Sequence, residues 1–362
     1  MSFTGRLGIV GPLPPPAGGM ATQTRQLVDL MRAEGVLVVL VQTNKPYWPN
    51  KIESIKGIRA VFRLIPYLRE VWKMVGSVDV VHLMANSGWS WQLFSAPTVW
   101  IGWLRKTPVI VNYRGGEAQS YFAESFSRVK PTLAKAATIV APSGYLKKVF
   151  ADFGLETHVI PNIVDLERFK PREERLDEGA SFFRLIITRN LEAIYGIDTA
   201  IRAIGLAREQ IPDIQLQIAG NGPQRAELEN LVAALGLEQH VNFVGRIGAG
   251  QIVEFYQSAN VMLNPTTVDN MPNSVLEALA CGVPVVTTNV GGIPYIVEHE
   301  ETALMVPVGD FQKMAEHVVR LYNSPELVQK LIGNGLAAVK PYSWPEVKHQ
   351  WLSAYESTVV QR

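Results

Sequence analysis

Short runs of aliphatic and β-branched residues punctuate this chain, and between them apolar positions recur three and four residues apart. In the first half the runs are Leu7–Val10, Val36–Gln42, Val78–Leu83, Val109–Tyr113, Thr138–Pro142 and His158–Pro161, each expected to form a strand. The stretches between them have a helical period: in ATQTRQLVDLMRAEG, Leu27, Leu30 and Met31 share one face. The second half restarts the alternation with FRLIITR, IDTAIRAIGLAREQ, IQLQIAG and RAELENLVAALGL, and continues through HVNFVG, QIVEFYQSA, VMLNP, VPVVTT and ALMVP. Short strands alternating with longer helices predict parallel βαβ units. Between the halves, LERFKPREERLDEGAS is polar, charged and interrupted by proline, as a linker would be. The expected fold is α/β: two Rossmann-like, doubly wound domains, 1–165 and 166–341, facing across a cleft.

Open parallel sheets bind ligands beyond the carboxyl ends of their strands. Glycine-rich loops stand at those ends here: GPLPPPAGGMAT and NYRGGEAQ in the first half, TRNLEAIYG and GNGP in the second. Gly18 and Gly19 open a helix, and glycine there lets a ligand come close to the backbone. Their spacing is not GxGxxG, so no dinucleotide site is indicated. Gly222 likewise precedes a helix, and Arg189 follows a strand, where its guanidinium would bind phosphate oxygens or make a structural ion pair.

The richest segment is Asp269–Glu277, DNMPNSVLE. It carries a loop carboxylate, then Pro272 at the expected first helical position, where a missing N–H costs nothing. The N–H groups of Asn273 and Ser274 would then point at an anion, aided by the helix dipole. Glu277 could reach back and accept from sugar hydroxyls, the alternative being a capped helix start with solvated acids.

Composition narrows the picture. A chain of 362 residues, 47% apolar and 19% charged, is expected to be globular with two domains. A single cysteine, Cys281, permits no internal disulfide and suits a reducing compartment. The N-terminal RLGIVGPLP reads as a strand and turn rather than a signal peptide, and no apolar run approaches the ~18 residues of a spanning helix. A cytoplasmic protein is expected, with peripheral contact at the inner face of an anionic membrane as an option.

Charge supplies that option. Residues 1–165 hold 18 Lys and Arg against 10 Asp and Glu, whereas 166–362 hold 16 against 23. The cations gather between Lys45 and Lys73, among Tyr47, Trp48, Phe62, Tyr67 and Trp72. RAVFRLIPYLREVWKMVG would serve as an interfacial helix or as a core helix with a solvated face. No nucleic-acid motif accompanies the charge, and no nucleic-acid partner is expected.

Several of these segments together carry a resemblance. HVIPNIVDLERF, QIAGNGPQRAELENL, HVNFVGRI and DNMPNSVLEALACGVPVVTTNVGGIPYIVEHEETALMV resemble glycosyltransferase family 4, retaining enzymes of the two-domain GT-B fold that use nucleotide-sugar donors. PYSWPEVKHQWLSAYE resembles the family's closing helix, so 342–362 is expected to return to the N-terminal domain. The resemblance implies that Glu277 holds the ribose, that Asp269 binds the donor sugar, and that Met271, Asn273 and Ser274 cradle sugar and diphosphate. Gly19 would approach the phosphate, and Arg246 and Ile247 fall where the family places its base pocket. It also implies same-face attack, with the leaving diphosphate taking the acceptor proton and stabilised by arginine and a helix N-terminus. No cofactor beyond a UDP-, GDP- or ADP-linked donor and no metal is expected, and the acceptor would be a glycan, a lipid-linked sugar or a small molecule.

Three departures stand out. The family's lysine five residues after its arginine is Ile194 here, with Tyr195 before Gly196, which would cost about 1.5–3 kcal/mol for one charge-assisted contact. Arg114, in NYRGGEA, stands where the family often has a histidine and is expected to offset that loss. Asp269 replaces the usual glutamate and draws the carboxylate back by about 1.5 Å. Beyond the motifs, His82 is expected as an acceptor-side group or a structural histidine. In GWSWQLFSAPTVWIGW most of the tryptophans are expected in a helix core, with Trp89 as the acceptor candidate. A nucleotide-sugar epimerase and a catalytically impaired binding protein remain alternatives.

Overall fold

A computed structural model describes residues 3–15, 18–46, 58–172 and 182–360. Tyr47, Trp48, part of the proline loop (16–17) and much of the expected linker (173–181) lie outside the described residues. The chain divides into two compact units, Met1–Ile163 with Trp344–Arg362, and Val164–Ser343.

In the first unit six strands, β1 (Arg6–Gly11), β2 (Leu37–Gln42), β3 (Val80–Ala85), β4 (Val109–Tyr113), β5 (Thr138–Ala141) and β6 (His158–Val159), form a sheet ordered β2-β1-β3-β4-β5-β6. All neighbours are parallel. Every residue of β3 and β4 is buried, because a parallel sheet is covered on both faces. The two-residue period of the strand divides them. Val81, Leu83, Tyr113 and Val111 face one core, while Val80, Met84 and Ile110 face another built with the C-terminal helix Trp344–Val360. Val347, Trp351, Leu352 and Tyr355 of that helix are buried against Leu7, Ile9 and Met31.

The second unit holds β7 (Phe183–Thr188), β8 (Ile214–Ala219), β9 (Val241–Gly245), β10 (Val261–Asn264), β11 (Val285–Thr288) and β12 (Leu304–Val306). Their order, β12-β11-β10-β7-β8-β9, is again all parallel. Leu185 and Ile187 enter one core and Ile186 the other, so this sheet too is sandwiched between helical layers. Helices Phe311–Asn323 and Pro325–Ala338, not anticipated from the sequence, cover one face, the first capped by the Asp310 side chain accepting from Lys313 N–H at 2.8 Å.

Strand order locates the ligand edges. The chain leaves β1 and β3 in opposite directions, as it does β7 and β10, and each divergence opens a crevice at the carboxyl end of the sheet.

The C-terminal helix supplies a test of the first unit. Trp351, 2% exposed, stacks on Tyr355 and lies 4.5 Å from the His82 ring. Trp351→Ala is expected to cost that unit about 3–5 kcal/mol, read as an earlier urea midpoint for its unfolding transition.

Candidate active site

At the β7/β10 divergence of the second unit, Arg189 and Asp269 meet. Arg189 follows β7 directly, and its Nη2 donates to Asp269 Oδ2, with both side chains only 13% exposed. The same guanidinium donates through Nε and Nη2 to Asn264 Oδ1 at 3.0 and 2.9 Å. Asn264, the fully buried last residue of β10, is held in turn by Nδ2 donating to Thr287 Oγ1 at 2.9 Å. Beneath the guanidinium lies the Tyr195 ring, 5.0 Å from Cζ. Tyr195 stands between Ile194, at the position of the missing lysine, and Gly196, so an aromatic platform lies under the guanidinium where a second cation was expected nearby.

Glycines lock the surrounding loops together. A Cβ on Gly291 would collide with the Asp269 carbonyl, and one on Gly292 with that of Asn270. Gly291 also takes φ +57°, and Gly292 N–H donates to Asp269 O at 3.0 Å. Gly222 was expected to make room for a ligand, but the space it leaves is filled by the Leu191 backbone. Gly220 meets the Arg189 backbone in the same way. These are packing requirements, and they fix where Arg189 and Asp269 stand.

The helix after the loop begins at Asn273, with Pro272 one position earlier than expected, in extended conformation at the cap. Met271 and Ser274 are buried, and the Ser274 hydroxyl has no hydrogen-bond partner among the described residues. Glu277, one turn in, accepts from Tyr256 Oη at 2.9 Å, and Thr188 Oγ1 lies 2.9 Å from that same oxygen. Arg246 follows β9 and is exposed, and Ile247 beside it packs on the core.

The first unit holds the remaining expected residues. Gly19 begins the helix Gly19–Ala33, and a Cβ on Gly18 would meet nothing within 4 Å. Arg114, after β4, donates through Nη2 to Asn162 Oδ1. His82 is not an acceptor-side group. It is 0% exposed, Asn112 Nδ2 donates to its Nε2 at 3.0 Å, and its Nδ1 lies 2.8 Å from Tyr355 Oη. Burial, then the Arg114 charge, depress His82 to about 3, so it is a neutral pin between β3 and the C-terminal helix. The tryptophan tract departs from expectation at two places: Trp91 is buried, but Trp100 and Trp103 are exposed. Trp89, 80% exposed, stands just past β3, beside Gly88 at φ +67°.

Residues 17–168 match the family model for Glycosyltransferase Family 4, and residues 172–337 match that for Glycosyl transferases group 1. The chain belongs to glycosyltransferase family 4. Phosphatidyl-myo-inositol mannosyltransferase of Mycobacterium leprae is 24% identical over 363 residues, covering 94% of this chain and 93% of that protein. MMP alpha-(1->4)-mannosyltransferase of Mycolicibacterium hassiacum is 26% identical over 265 residues, 72% of this chain, and the chain spans 61% of that relative's length. The crystal structure of Anabaena HepE in complex with UDP superposes with a TM-score of 0.76 at 16% identity, covering 97% of this chain and 100% of that one. The fold is GT-B.

Sequence reasoning about this transferase missed Asn264, Tyr256, Thr188 and the ring of Tyr195. Asn264 is 75 positions from Arg189 and Tyr256 is 68 from Thr188, so the fold joins them, whereas Tyr195 is near Arg189 in the chain and only its ring contact was unforeseen. Asn264 had a faint signal, a buried amide immediately before Pro265 at a strand end.

Burial raises the Glu277 carboxyl to about 7, against the lowering effects of the Tyr256 hydroxyl, Arg168 and Arg189. A raised acid binds its proton more tightly in the folded state. Its contribution to stability is complete below the unfolded pKa of 4.5 and is lost as pH rises through about 7. Glu277→Gln should leave Tm nearly unchanged at pH 4 and raise it by about 5 °C or more at pH 8, read by calorimetry without donor.

Proposed function

We propose that this transferase moves a sugar from a nucleotide-sugar donor to an acceptor hydroxyl with retention at the anomeric carbon. The donor binds at the carboxyl edge of the second sheet. The observation that carries this reading is the Arg189–Asp269 pair across the β7/β10 divergence, with Glu277 one turn into the helix that follows the same loop. A guanidinium and two carboxylates at a switch point match the chemistry of a nucleotide sugar: phosphate on one side, hydroxyls on the other. The names of the relatives support the class, since two are mannosyltransferases. The HepE structure was obtained with UDP.

The chemistry follows from charge. The bond from the anomeric carbon to the diphosphate oxygen breaks, and a bond to the acceptor oxygen forms. The acceptor proton passes to the departing diphosphate, whose growing charge needs preorganised donors. Arg189 can supply them without releasing Asp269, because no hydrogen bond among the described residues engages its Nη1. The unpartnered Ser274 hydroxyl and the N-terminus of helix Asn273–Ala280 add donors beside it. Asp269 and Glu277 accept from the donor-sugar and ribose hydroxyls, and Arg246 and Ile247 flank the base. Trp89, exposed just past β3, offers its ring to a sugar acceptor.

Tyr195 bears on the missing lysine. Its ring carries the guanidinium from below, so Arg189 remains aimed although the second cation is gone.

Incubation with UDP-, GDP- and ADP-linked sugars, following free nucleoside diphosphate, tests the reading. One donor should be hydrolysed slowly without acceptor, and Arg189→Lys should lower that rate by about 100–1,000-fold with unchanged secondary structure. Donor binding without release would make the protein a binder, and an isomerised sugar would make it an epimerase.

A further inference from the structure

The first unit carries an apolar surface that the transfer reaction does not use. Helix Ile58–Val75 buries Tyr67, Val71, Met74 and Val75 in the core, yet leaves Phe62, Ile65 and Trp72 between 46% and 50% exposed. It is thus neither a purely interfacial helix nor a core helix with a polar outer face. Packed beside it, helix Ala96–Leu104 exposes Trp100, Trp103 and Leu104. Between the two helices runs an open groove of about 470 Å³. Trp72, Pro97, Trp100 and Ile101 line it, together with Arg69 and Lys73. None of these is an expected site residue. Contiguous exposed apolar area of this kind marks a binding surface.

Cations surround the indoles. The Arg105 guanidinium sits 4.7 Å from the Trp72 ring, over Gly76, where a side chain would collide with it. Lys135 Nζ lies 4.3 Å from the Trp103 ring and 6.0 Å from Trp100. Trp100 Nε1 is tied down, donating to Thr132 Oγ1 at 3.0 Å. Residues 62–75, 96–106 and 126–136 hold eight Lys and Arg against a single acid, Glu70. That acid is neutralised by Lys45 at 2.6 Å, whereas Arg69, Lys73, Arg105 and Lys135 form no ion pair among the described residues.

We propose that this tryptophan-lined, cation-rimmed face docks the protein on an anionic lipid bilayer. Indoles settle at the headgroup level with their faces among acyl chains. Unpaired Lys and Arg around them meet the negative surface potential, and neither part suffices alone. A second copy of the chain fits less well, because the face is uniformly cationic at its rim and would repel itself.

Flotation of the full-length protein with vesicles of phosphatidylcholine, alone or mixed with phosphatidylglycerol, tests this without any sugar donor, so the result stands whatever the catalytic assay returns. Binding is expected to the mixed vesicles, to weaken with salt, and to be accompanied by quenching of tryptophan fluorescence when the lipid chains are brominated. Lys73→Glu with Arg105→Glu, both exposed, should weaken it by about tenfold or more. Equal binding to neutral and anionic vesicles, or unchanged binding by the double variant, overturns the proposal. So does concentration-dependent dimerisation without vesicle binding, which assigns the face to a second copy.

Discussion

A guanidinium and a carboxylate, joined where two adjacent strands send the chain apart, organise the ligand edge of the second unit. Arg189 and Asp269 are each 13% exposed, so neither charge would be tolerated without the other. Asn264 receives two hydrogen bonds from the same guanidinium, and Thr287 fixes Asn264 in turn. Four strand ends, those of β7, β8, β10 and β11, are thereby tied to one charged centre, with glycines absorbing the close approaches of backbone that this requires. The pair neutralises both charges and at the same time fixes the position of the two groups.

Glu277 is set differently. Its carboxylate leans on a buried tyrosine hydroxyl rather than on a direct ion pair, and burial moves its titration to about 7. The two acids of one motif thus experience opposite environments: Asp269 is matched by a cation, whereas Glu277 is held by a buried hydroxyl.

The first unit shows how aromatic residues divide their work. Trp351, Tyr355 and His82 are consumed by packing, closing one face of the sheet with the C-terminal helix. Trp72, Trp100 and Trp103 cover little core and lie under cations at the surface. Both groups read alike in the chain as large apolar residues at helical spacing. The excess of positive charge in the N-terminal half gains a location from this comparison, since it concentrates around the exposed group.

The strands, their parallel pairing and the doubly wound class were legible in the chain, because a period of two against a period near three and four is a local property of the backbone. The positions of Arg189 and Asp269 were legible too, since each follows a strand in a loop marked by proline or glycine. Their partners were not. Asn264 and Thr188 reach the site from adjacent strands β10 and β7 and Tyr256 from the helix Ile252–Gln257, and only the packing of these elements brings them there. The packing requirement at Gly222 was not legible for the same reason, since the backbone it admits is Leu191, thirty-one positions away. His82 looked chemically available and proved sealed, because which face of β3 the C-terminal helix covers is a matter of packing between distant segments. Local pattern determines what each segment becomes. Which side chains are spent on the core, and which are left for ligand or lipid, is settled by contacts between segments far apart in the chain.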